Sequence, residues 1–132
     1  MRIYLAARNY RLDELRGYAD DLRTMGHQVT SRWLQGRHQA PGSLDHPQWP
    51  GIAQEDVDDL AAADAVISIT EQVRGGGGGR HVEFGLGLAW GKRMLLVGAA
   101  ENLFHTLPSV EAYPTWEDAL AGLGSEGAES NP

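Results

Sequence analysis

Cysteine is absent from the 132 residues. That excludes a disulfide framework and a thiolate-bound metal, and it suits a chain working in a reducing compartment, here expected to be cytoplasmic. Long apolar runs are missing as well. No stretch approaches the roughly 18 residues that a transmembrane helix needs, and the apolar run at Ile3 to Ala6 is too short for a signal peptide. No membrane partner is therefore expected. Positive charge is in deficit, with 11 Lys and Arg against 18 Asp and Glu and a formal net charge of −7. Binding to duplex nucleic acid depends on neutralising phosphates with a basic surface, so this balance argues against it. Four histidines (His38, His46, His81 and His105) lack the close pairing of a zinc site, and no metal is expected.

Glycine, by contrast, is plentiful, and five of them stand together. The stretch Gly75 to Gly79 leads directly into Arg80-His81-Val82-Glu83-Phe84-Gly85. Glycines let a backbone pass close to a ligand, and the first turn of a following helix offers unpaired N–H groups to an anion. The run is not a P-loop, since no Lys-Ser or Lys-Thr follows it, and it lacks the G-x-G-x-x-G spacing of a dinucleotide fold. ATP hydrolysis and redox use of NAD are disfavoured, and no cofactor is expected. Glu83 has apolar neighbours on both sides and small residues beyond. A carboxylate turned inward in such company is expensive unless it performs chemistry. The plainer alternative is a surface loop, with Glu83 complementing the helix dipole.

The chain alternates short apolar runs with amphipathic segments, which is the pattern of a parallel sheet covered by helices. Strands are expected at Ile3 to Ala6, Gln28 to Trp33, Asp64 to Thr70, Met94 to Val97 and near Val110. Helices are expected from Leu12 to a stop at Gly26, from Ile52 to Ala63, through Glu83, and from Thr115 to Leu123. The long segment from Leu34 to Pro50 shows no period and reads as a functional loop. Residues 1–123 form a single α/β domain with helices on both faces, and the small polar stretch 124–132 is expected to be a disordered tail. An open five-stranded parallel sheet of this kind most often has the flavodoxin-like order 2-1-3-4-5, with ligands bound beyond the carboxyl ends of strands 1 and 3. That places Ala7, Arg8 and Asn9 opposite the loop Gly77, Gly78, Gly79, Arg80 and His81 as candidate substrate contacts. Trp33 and Trp49 flank the long loop and either stack on a base or pack as core aromatics.

The N-terminal Ile3-Tyr4-Leu5-Ala6-Ala7, the segment from Asp56 to Asp64, and Gly79-Arg80-His81-Val82-Glu83-Phe84-Gly85-Leu86-Gly87-Leu88-Ala89-Trp90-Gly91-Lys92 together resemble the nucleoside 2-deoxyribosyltransferase superfamily, over about residues 1 to 121. The resemblance implies a nucleophile at Glu83 that attacks the anomeric carbon. It further implies that Asp56 handles the base, that Tyr4 orients the glutamate, and that the chain forms a homodimer or larger homo-oligomer in which Asn102 completes a neighbour's site. One departure is Gly77, at the place where the best-known transferases carry a second acid six residues before the nucleophile. Recognition and protonation of the base are expected to differ accordingly.

The chemistry of the residues agrees with those roles. Glycosidic cleavage needs one group to stabilise an oxocarbenium-like centre and another to protonate the leaving base, and two carboxylates in different surroundings supply both. Three function classes follow. The first is transfer of a deoxyribosyl group from a nucleoside to a free nucleobase through a covalent glycosyl-Glu intermediate. The second is hydrolysis of a nucleoside 5′-monophosphate, with Arg80 and the adjacent N–H groups holding the phosphate. The third is a nucleotide-binding module without catalysis, in which Glu83 only hydrogen-bonds a ribose.

Overall fold

The computed structural model describes residues 1–36, 44–71 and 78–125. Five strands, β1 (Arg2–Ala6), β2 (Gln28–Val29), β3 (Ala65–Ile69), β4 (Arg93–Val97) and β5 (Val110–Tyr113), form one sheet. All neighbouring pairs are parallel and the order is β2-β1-β3-β4-β5, as expected from the sequence. The central strand β3 is buried at every position, which is why Ala65-Val66-Ile67-Ser68-Ile69 reads as a nearly continuous apolar run.

Four helices cover the sheet: α1 (Leu12–Thr24), α2 (Trp49–Ala62), α3 (Gly79–Ala89) and α4 (Trp116–Leu123). In-register pairing of Tyr4 with Val66 and of Val66 with Met94 puts these three side chains on one face. That face belongs to α3. A Cβ built on Gly87 would meet Val66 Cγ2 at 2.9 Å and Met94 Sδ at 3.0 Å, so the missing side chain is what lets the helix sit close. Helix α2 lies beside α3. The opposite face carries Arg93 and Glu111, and there Arg93 reaches Gly122 O of α4. On that side α1 and α4 are joined by the Tyr18–Trp116 ring stack, with centroids 4.1 Å apart, and by Trp116 Nε1 donating to Asp21 at 2.9 Å. Thr115 caps α4, its hydroxyl accepting from Asp118 N at 3.1 Å, an arrangement worth about 1 kcal/mol.

Two boundaries differ from the sequence reading. The second strand stops at Val29, and side chains take over its contact with β1. Ser31 Oγ accepts from Leu5 N and Trp33 Nε1 donates to Leu5 O, each at 2.7 Å, while residues Arg32–Gln35 form a 3-10 turn. Helix α2 begins at Trp49, three residues before the expected start, because Pro50 occupies the first turn, where its lack of an N–H costs nothing. Among the described residues no helix is long and apolar enough to cross a membrane. Most of the expected tail, residues 126–132, and much of the long loop, 37–43, lie outside the described residues.

Candidate active site

Tyr4 sits in the middle of β1 and is fully buried. Its hydroxyl is enclosed without a well-formed hydrogen bond, and it borders three carboxylates. Burial first, then the charge and hydrogen-bonding influence of Glu83, then the charges of Asp56 and Asp59, push the phenol far above its ordinary pKa. Tyr4 therefore keeps its proton, and its hydroxyl is available to donate a hydrogen bond. Its neighbours come from both helices of that face, Glu83 from α3 and Asp56 and Asp59 from α2.

The buried stripe of α3 explains the placement of Glu83. Arg80, Phe84 and Gly87 are buried, and Glu83, half-buried, lies one turn before Gly87 on the side that meets the sheet. On α2 the acidic run divides its work. Asp59 is 6% exposed and holds Arg32 through the backbone N at 2.9 Å and Nε at 2.8 Å. Glu55 also pairs with Arg32, and Asp58 accepts from Gln54. Asp56 is the member half-buried toward Tyr4. It belongs to the middle of a helix whose first turn holds no acid, so complementing the dipole is not its role.

The carboxyl ends of β1 and β3 meet, as the topology requires. Tyr10 Oη donates to Glu71 Oε2 at 2.5 Å, and Arg11 Nη1 donates to Thr70 O and Glu71 Oε1, each at 3.2 Å. Ala7 and Arg8 are half-buried at this mouth and Asn9 is exposed. Arg8 Nε is buried with no protein partner among the described residues. Of the glycine loop, Gly78 and Gly79 are exposed where α3 starts, whereas Gly77 lies outside the described residues.

Other expected contacts are built into the fold. Trp33 is 4% exposed and its indole is spent on Leu5 O, so it is a core aromatic and does not present a face to a base. Arg80 is 6% exposed and makes a two-pronged ion pair with Glu101, Nη2 donating to Oε2 at 2.7 Å and Nη1 to Oε1. Against the burial that would raise it, the Arg80 guanidinium and the Glu71 N–H hold the Glu101 carboxyl below its usual range. Glu101 has no local signal in the sequence; the one available cue is an acid just beyond the end of β4, at the ligand-binding edge of such sheets. Asn102 caps a 3-10 turn, Leu103–Thr106, accepting from Phe104 N at 2.9 Å and His105 N at 3.2 Å. Its Nδ2 lies 3.4 Å from Nδ1 of the exposed His81. His105, 3% exposed, packs edge-on against Phe84 and accepts from Glu101 N at 3.0 Å.

An open cleft of about 920 Å³ lies on the opposite side of the sheet, lined by Arg11, Tyr18, Glu71, Gly98, Thr115 and Trp116 among others. It shares Tyr10, Arg11 and Glu71 with the mouth described above, but Tyr4, Asp56 and Glu83 do not line it. Geometry and chemistry therefore favour the carboxylate side over this cleft. Among the described residues no cluster of His, Asp and Glu has the arrangement of a metal site.

No family model matches the chain, and neither does any curated protein. Solved structures do. A 2-deoxyribosyltransferase from Bacillus psychrosaccharolyticus superposes with a TM-score of 0.68 at 23% identity, over 95% of this chain and 97% of that one. A CMP N-glycosidase from Clostridium botulinum gives 0.56 at 22% identity, over 93% and 98%. A conserved protein from Enterococcus faecalis V583 gives 0.64 at 14% identity, over 92% and 95%. Over nearly its whole length the chain has the fold of a 2-deoxyribosyltransferase and of a CMP N-glycosidase, as its resemblance to the nucleoside 2-deoxyribosyltransferase superfamily implies.

Proposed function

We propose that the chain is an enzyme that cleaves the N-glycosidic bond of a 2′-deoxynucleoside and passes the deoxyribosyl group to another nucleobase. A Glu83 oxygen attacks the anomeric carbon, the bond from that carbon to the base nitrogen breaks, and its electron pair leaves with the base, which takes a proton from Asp56. The nitrogen of a second base then attacks the same carbon, releases Glu83, and returns its proton to Asp56. Tyr4 donates a hydrogen bond that holds the Glu83 rotamer. The observation that carries this reading is the convergence of Tyr4, Asp56 and Glu83 from three separate elements on one buried point. The names of two structural neighbours, a deoxyribosyltransferase and a CMP N-glycosidase, support it, because both concern the same kind of bond.

The second of those neighbours favours one further reading, hydrolysis of a nucleoside 5′-monophosphate, in which water replaces the acceptor base. Mouth residues Ala7, Arg8, Asn9, Gly78, Gly79 and His81 are proposed to contact the sugar and base. The proposed assembly is a homodimer or a multiple of it, with Asn102 reaching a neighbour's site. Val82, Leu103 and Phe104, exposed at 63%, 73% and 55%, supply apolar surface for such an interface.

The test is chromatographic detection of free base and of the new nucleoside, from each 2′-deoxynucleoside and its monophosphate, with and without an acceptor base. Glu83→Gln should abolish turnover and leave the melting temperature nearly unchanged. Turnover within a few-fold of the parent would refute the covalent mechanism, and a parent that binds nucleosides without turnover would be a binding module.

A further inference from the structure

Arg80 stands one helical turn before Glu83 on α3. A sugar whose anomeric carbon meets Glu83 brings its 5′ position to this turn when the ring lies along the helix toward its N-terminus. A free guanidinium there would attract a 5′-phosphate. Arg80 is not free. Both of its terminal nitrogens are taken by the two oxygens of Glu101, and the pair is nearly closed to solvent, with side-chain exposures of 5% and 18%. Glu101 is fixed in turn by the Glu71 N–H and lies in the field of His81. Of the other basic side chains at the mouth, Arg11 is likewise closed onto Glu14 and Glu71, whereas Arg8 Nε is buried with no protein partner among the described residues.

An incoming phosphate would have to displace a two-pronged carboxylate from Arg80 and would then face the freed Glu101 charge at close range. Both effects oppose it. A neutral 5′-hydroxyl meets neither, and it has hydrogen-bond acceptors within the same pair.

We infer that Glu101 is an internal stand-in for a substrate phosphate, selecting unphosphorylated 2′-deoxynucleosides over their 5′-monophosphates. The inference rests on the proposed meeting of Glu83 with the sugar, and it assigns a specificity-determining role to a residue outside the reacting centre.

Calorimetric titration of the Glu83→Gln protein, which holds ligand without turnover, with the four common 2′-deoxynucleosides and their 5′-monophosphates tests it. The parent background should bind nucleosides at least about tenfold more tightly than monophosphates. Glu101→Gln should move the ratio by about tenfold or more toward monophosphates, the effect of one additional charge-assisted hydrogen bond to the phosphate. Adding Arg80→Ala should cancel that shift. Because the ratio is taken within each protein, a partly unfolded preparation does not imitate the result. If Glu101→Gln fails to fold, Glu101→Asp, too short to span both nitrogens, should move the ratio in the same direction by about threefold or more. A parent that binds monophosphates as well as nucleosides, or a ratio unmoved by the Glu101 variant that folds, overturns the inference. Should none of the eight compounds bind, the proposed function falls with it, whereas nucleoside binding and parent turnover with an unmoved ratio removes this inference alone.

Discussion

Replacing Tyr4 by Phe takes one oxygen out of the centre of the sheet and leaves the ring where it was. The side chain is 0% exposed, so the ring keeps its packing and no cavity larger than a hydroxyl opens. If the tyrosine is only a core residue, the change removes a buried polar atom that lacks a well-formed hydrogen bond, and stability should shift by no more than about 1 kcal/mol in either direction. If it orients Glu83, the loss is a hydrogen bond to a charged group, about 1.5–3 kcal/mol. Expressed in the transition state, that is roughly a 10- to 150-fold fall in kcat. KM should move little, because the hydroxyl touches the carboxylate and not the distant parts of the substrate. Initial rates of base release, with urea unfolding on the same preparations, measure both quantities. A kcat within twofold of the parent refutes the orienting role. So does a stability loss above about 2 kcal/mol with activity falling only in step with the folded fraction.

Burial is the main cause holding the His105 pKa below 6.5, with Glu101 opposing and His81 and Arg80 reinforcing. The unfolded chain binds this proton more readily than the fold does, so His105 contributes stability above about pH 6.5 that is lost as the pH falls through its lower native value. Melting temperature should fall on acidification below about pH 6.5, and His105→Gln should flatten that slope; an unchanged slope counts against the assignment. Light scattering should find a homodimer or a multiple of it. Mixing Glu83→Ala with Asn102→Ala chains should restore activity if Asn102 serves a neighbour's site, whereas a monomer, or a mixture that stays inactive, rejects sharing.

The parts of the fold legible in the sequence are those set by local pattern. The stop of α1 is one, where Gly26 takes φ +92°, a conformation that glycine adopts at little cost. The start of α3 is another, since the glycine run leaves no other place for it. Helix α2 is partly legible, for Pro50 marks a first turn, yet the aperiodic loop before it masks the signal. The early end of β2 is not legible, because Ser31 and Trp33 satisfy Leu5 with side chains where a longer strand would have used its backbone. Nor is the fate of Arg80. Its partner Glu101 lies 21 residues away, and no spacing rule connects residues at the ends of α3 and β4 until the strand order is known.

Strand order and side-chain alternation together decide which side chains meet over the sheet in this chain. Tyr4 shares a face with Val66 and Met94 through the register of three parallel strands, and α3 approaches that face closely because Gly87 has no side chain. A register slip of one residue in β1 would turn Tyr4 to the α1/α4 side and bring Leu5 toward Glu83. Glu83 and Asp56 would then stand over an aliphatic surface without the tyrosine hydroxyl. The candidate site thus depends on the same pairing that buries the core, and the close approach of α3 that a glycine permits is what carries Glu83 to the tyrosine. The cleft on the other face has no such constraint. Its lining includes acids and aromatics, but Tyr4 is turned away from it by alternation, and Glu83 on α3 cannot reach it through a sheet whose central strand is buried throughout.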